Sequence, residues 1–146
     1  MRTISFCLLV VLTSVCARAA EKPVLMKDLP AAVQATVKAE TAGATIKGIS
    51  RETEHGATVY EVETIMNGLS RDLLIDTSGT VVEVEQQIAV TAAPLPVQQA
   101  LSQMGQVRKL ERVTAHGVTT YEGHIQHGSK SRSVTLDASG RIVAPK

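Results

Sequence analysis

From about residue 45 onward, apolar and polar positions alternate with period two, and turn residues interrupt the alternation at short intervals. Ile46 to Thr53 reads as a strand, followed by a His55-Gly56 turn in which glycine supplies positive φ. Thr58 to Ile65 is the next strand, and Asn67-Gly68 after it is the strongest hairpin signal in the chain. Ser70 to Ile75 follows, then Asp76-Thr77-Ser78-Gly79, a turn whose Asp side chain accepts from the backbone, then Val81 to Glu85. Ahead of these strands the spacing changes. Leu29, Val33 and Val37 recur at helical intervals, Asp28 is placed as N-cap with Pro30 in the first turn, and Gly43 is a natural stop. A second, shorter helix opens at Pro96, carries Val97, Leu101 and Met104 on one stripe, and ends at Gly105.

The same pattern is written twice. Sliding the chain by 61 residues lays Ile46–Glu83 over Val107–Ala144 without a gap, and 13 of the 38 positions are identical. Ordinary residue usage gives about two or three by chance. The matches include Tyr60 with Tyr121, Arg71 with Arg132, and Asp76-x-Ser78-Gly79 with Asp137-x-Ser139-Gly140. Turns this short join antiparallel neighbours. The expected architecture is therefore α+β: two tandem repeats, each one helix followed by a four-stranded antiparallel meander, with the helices on one face of the sheet. The segments are 1–19 as a signal peptide, 20–90 as the first repeat and 91–146 as the second. Units of about 50–60 residues are marginal alone, so the two are expected to share an interface, with one sheet continued across both as one form of it.

Strand parity assigns the faces. Tyr60 and Val62 point toward the helix side with Tyr121 and Ile125, while Glu61, Glu63, Glu122 and His124 point the other way. The two tyrosines are the only aromatic residues after residue 19, and their equivalent places suit anchoring each helix to the sheet. Arg71 shares its parity with Leu73 and Ile75 and belongs at the rim of the apolar face, its stem packed and its head outward.

The N-terminus reads as an address. Arg2 precedes an apolar run, Phe6 to Val15, too short for a bilayer core, which needs about 20 residues. Small residues follow, and cleavage fits after Ala19, placing the mature protein in the periplasm or outside the cell with no membrane insertion. A rival reading makes Cys16 the acylated first residue of a lipoprotein, although Val15 before it fits that poorly. Cleavage after Ala19 removes both cysteines and leaves 13 basic against 14 acidic residues, a net charge of −1. The mature chain then has no disulfide and no thiol chemistry. A small net charge without a Lys/Arg cluster argues against nucleic acid as a partner.

A helix, then Val59-Tyr60-Glu61-Val62, a hairpin, then Asp76-Thr77-Ser78-Gly79-Thr80-Val81-Val82 resembles the PepSY and PepSY-like proteins of bacterial envelopes. Thr120-Tyr121-Glu122-Gly123 leading to Asp137-Ala138-Ser139-Gly140-Arg141-Ile142-Val143 carries the same resemblance once more. The resemblance implies the β-lactamase-inhibitor-protein fold, with helices over one face of an antiparallel sheet. It also implies a non-catalytic secreted module that binds or inhibits proteins such as peptidases. One departure argues against β-lactamase inhibition. Inhibitory sheets of this fold use exposed aromatics, and this chain has no Trp and commits both tyrosines to the core.

The motifs of common hydrolases, metalloproteases, P-loop and dinucleotide-binding proteins are missing, so the chain is expected to be no enzyme and to need no cofactor. The candidate partner-binding residues are Glu61, Glu63, Glu122 and His124 on the open sheet face. His124 and His127 are the weak metal candidates. They are three apart on one strand and converge only if the hairpin bends sharply. The expected function is binding, and inhibition or modulation, of another envelope or secreted protein or peptide. A metal- or small-ligand-responsive periplasmic module is the alternative, and a purely structural accessory is a third reading.

Overall fold

The structure is a computed structural model describing residues 22–54 and 56–143. The signal-peptide reading of 1–19, its cleavage after Ala19, both cysteines and His55 lie outside the described residues.

Among the described residues, nine strands follow one another in chain order as one antiparallel sheet. They are β1 (Lys22–Pro23), β2 (Thr45–Glu54), β3 (Ala57–Met66), β4 (Leu69–Asp76), β5 (Val81–Gln87), β6 (Gln106–Ala115), β7 (Val118–His127), β8 (Lys130–Leu136) and β9 (Ile142–Val143). The α-helices among the described residues, α1 (Ala31–Glu40) and α2 (Leu95–Ser102), are short and lie in the β1–β2 and β5–β6 connections.

This corrects the expected architecture. Two helix-plus-four-strand repeats are not what the chain builds: it is mostly sheet, and the sheet is single. Residues Glu83 to Gln87 of β5 pair residue for residue with Ala115 to Glu111 of β6, and the amide of Ile88 extends the ladder to the carbonyl of Leu110. The physical reason is edge cost. A meander ending at β5 and another starting at β6 would each expose a row of unpaired backbone groups, and joining them removes both rows. A further strand, β1, precedes α1 and pairs with Ser50 and Arg51 of β2, which the alternation pattern did not foretell because two residues carry no period.

The hairpins form where the turn chemistry puts them. Asn67 and Gly68 both hold positive φ (52° and 80°), as a type I′ turn requires. The backbone of Asp76 closes on Gly79 and Thr80, and its carboxylate accepts from the amides of Ser78 and Thr80 at 2.8 and 2.9 Å. Asp137 repeats this with Ser139 at 2.9 Å and adds a 2.8 Å pair with Arg141. These turns dock beneath the helices. A Cβ on Gly79 would sit 2.9 Å from the backbone of Ala32, and one on Gly140 would sit 2.5 Å from the Pro96 carbonyl oxygen. Only glycine permits that approach, and Thr36 fastens the first contact by donating to the Gly79 carbonyl at 2.6 Å.

Helix starts differ slightly from the reading: Pro30, not Asp28, stands at the N-cap of α1, and α2 begins at Leu95, with Pro94 at its N-cap and Pro96 in its first turn. Two hydrophobic clusters fill the space between helices and sheet. Leu29, Val33 and Val37 meet Tyr60, Val62, Leu73 and Ile75 in one, and Val97 and Leu101 meet Leu110, Tyr121, Ile125, Val134 and Leu136 in the other. Both tyrosines are buried, as their parity required. Between the clusters the helix side is polar, with Arg112 donating to Gln86 at 2.7 Å across the β5–β6 seam. Arg71 takes the rim position expected of it, donating to the carbonyl and carboxylate of Glu40 at the end of α1.

Candidate functional site

Both helices cover the same side of the sheet, so the register leaves the other side open. Strand β2 turns Glu52 and Glu54 to that side, opposite Val59 and Ala57. Strand β3 contributes Glu61 and Glu63, and β4 contributes Asp72 beside Glu63. Glu83 and Glu85 of β5 stand opposite Leu74 and Asp72, while Glu111 of β6 and Glu122 of β7 face each other directly. Nine acidic residues therefore share one surface, besides Asp76, which stands opposite Val59 with its carboxylate folded into its own turn. Beneath them lies a small apolar floor, with Val59, Leu74 and Ala115 buried although no helix covers them.

This surface is crowded rather than freely solvated. Glu111 is 4% exposed and Glu52 8%. Glu111 is held by Lys109 at 2.7 Å on one oxygen and by His124 Nε2 at 3.3 Å on the other. His124 also approaches Glu122 at 3.9 Å, and its Nδ1 meets the Ser133 hydroxyl at 3.1 Å. A hydroxyl–imidazole–carboxylate chain thus crosses β8, β7 and β6, fixing the ring between its two neighbours.

Asp72, Glu85 and Glu111 bring one carboxylate oxygen each within 4.8 Å of one another, the one such metal-capable group among the described residues. Crowding and burial act on their protonation. Burial pushes the Glu85 carboxyl up to about 7, and the charges of Glu111, Glu83 and Glu122 add to the rise. Asp72 is also raised, mainly by burial, against a hydrogen bond from the Thr64 amide that pulls it down. At the turns the direction reverses. The hydroxyl of Ser139 foremost, and then Arg141, hold Asp137 down at about 2.

Of the sequence-selected residues, Glu61, Glu63, Glu122 and His124 all stand on the open face, with Glu63 exposed and the other three half-buried. His124 contacts Glu122, whereas Glu61 and Glu63 lie on β3 on the far side of β4. His127 does not join His124. It ends β7 opposite Lys130, exposed and of opposite parity, so the two rings point to opposite sides of the sheet. Sequence reasoning missed Glu111 and Lys109. Their place at the β5–β6 seam depends on a pairing between segments that have no turn between them.

No protein-family model matches the chain, and no curated protein matches it in sequence. Solved structures do match in shape. A Bacteroides eggerthii protein provisionally assigned to the periplasm superimposes with a TM-score of 0.65 at 15% identity, covering 80% of this chain and 86% of that one. A DUF2874 family protein of Bacteroides ovatus gives 0.62 at 15% identity, covering 80% and 85%. A BLIP-like protein of Bacteroides fragilis gives 0.56 at 16% identity, covering 79% and 83%. At these identities the likeness shows the fold, a BLIP-like sheet. It does not show PepSY membership.

Proposed function

We propose that the chain is an exported, non-catalytic binding module of the cell envelope. It docks another protein or peptide, such as a peptidase, on the open face of its sheet and inhibits or modulates it. The observation that carries this reading is asymmetry: both helices lie on one side, and the other side is a broad surface spanning β2 to β8 with a buried apolar floor. Sheets commonly leave one face to solvent, but that face is then evenly polar. Here ionisable groups are concentrated to the point of perturbing one another. The apolar run with small residues after it at the N-terminus supports export, as does the periplasmic assignment of a fold neighbour.

Photo-crosslinking in the native compartment tests this. A benzoylphenylalanine at Glu63 or Glu122 is expected to capture a discrete partner, and one at Lys38 on the outer side of α1 is not. Capture from Lys38 alone would refute the reading.

The Asp72–Glu85–Glu111 group favours a second reading, a metal-responsive module. Thermal melts with calcium and zinc test it: a shift abolished by Glu85→Gln supports a metal site, and no shift at several-fold excess removes it.

A further inference from the structure

Charge is sorted between the two sides of the sheet. The open face holds these nine carboxylates, and Lys109 and the rim residue Arg108 are cations turned toward it. The helix side has the reverse balance: Arg51, Arg71, Arg112 and Arg132 lie on strands there, and Lys38 on α1. The acids of the helix segments, Asp28 and Glu40, are each matched by a cation at 3.4 and 2.9 Å. A chain of net charge near zero is thus strongly polar across its thickness.

From this complementarity we infer that the open face takes a cationic, extended polypeptide segment, one with lysine or arginine at alternate positions. The inference rests on the docking reading above and adds the chemistry of the partner. Glu61 and Glu63 on β3, and Glu83 and Glu85 on β5, form two columns flanking the buried Leu74 of β4. Carboxylates two residues apart on a strand are about 6.6 Å apart, the spacing of alternate side chains in an extended partner. A segment lying along β4 would set its cations against both columns and its stems over Leu74. The like-charge crowding around Glu85, from Asp72, Glu83, Glu111 and Glu122, is relieved by an arriving cation. The summed field also speeds encounter, and added salt weakens it.

Amide NMR titration of the purified mature protein with decalysine tests this, with decaglutamate as control. Decalysine is expected to shift residues of β3 to β6 on the open face, and the affinity is expected to fall at least ten-fold between low and about 0.2 M salt. Glu63→Lys with Glu83→Lys should weaken it ten-fold or more, and Lys38→Glu should leave it unchanged, both folded by circular dichroism. Shifts confined to the helix side, binding insensitive to salt, or equal binding of decaglutamate would overturn the inference. So would calcium alone moving Asp72, Glu85 and Glu111 while decalysine leaves the face untouched. If decalysine fails while crosslinks from Glu63 still capture a partner, the docking face stands and its cationic specificity falls. If decalysine binds the face while crosslinks arise from Lys38 alone, the face is a cation binder and the docking function falls.

Discussion

Replacing Glu85 by Gln keeps the side-chain volume and removes a charge that the fold disfavours. In the folded protein burial, then Glu111 and Glu83, lift this carboxyl from 4.5 to about 7. A carboxyl whose folded pKa exceeds its unfolded one binds its proton more tightly when folded, so its contribution to stability is complete below about 4.5 and is lost as pH rises through 7. At about 1.4 kcal/mol per pKa unit the whole shift is worth about 3 kcal/mol, and water reaching the half-buried side chain reduces this to about 2. Urea unfolding of both proteins at about pH 4.5 and about pH 8 measures it. The two should be near equal in acid, and E85Q about 2 kcal/mol more stable at pH 8, with unchanged denaturant dependence. Parallel losses with pH in both proteins would show that Glu85 is not under the strain described, and that the open face is ordinary solvated surface.

Three further outcomes follow from the packing. Tyr121→Ala removes a ring that is 8% exposed and seats α2, and should cost about 3–5 kcal/mol in a urea melt, with Tyr60→Ala similar. Gly140→Ala meets the Pro96 carbonyl at φ +80° and should cost about 3 kcal/mol. Gly117→Ala, with open space at φ +77°, should cost only about 1–2 by the same assay. Asp137, held down at about 2, gives stability that is present above its unfolded value of 3.8 and lost as pH falls through 2. Asp137→Asn should therefore flatten the acid limb of the stability curve between about pH 4 and 2.

Much of this fold was legible because its signals are local. Asn67-Gly68, the Asp76 and Asp137 turns and the alternation around Tyr60 and Tyr121 fix hairpins through neighbours in the chain, and the strands fall within two residues of where they were read. The joining of β5 to β6 was legible only as one form that a shared interface could take. Eighteen residues and a helix separate Gln87 from Gln106, and their pairing is decided by the gain from closing two edges, which no local pattern encodes. The site divides the same way. Glu61, Glu63, Glu122 and His124 follow from parity, whereas the clustering of Asp72, Glu85 and Glu111 exists only once β5 and β6 are neighbours.

The open face is one surface only if that pairing holds in solution, and hydrogen exchange read amide by amide tests it directly. Residues Glu83–Gln87 and Glu111–Ala115 include seam amides expected to be as protected as those between β3 and β4, and to open with the global unfolding free energy. Fast exchange along both segments while the β3–β4 and β7–β8 ladders stay protected would mean two separate sheets, and would dissolve the acidic cluster with the surface it anchors.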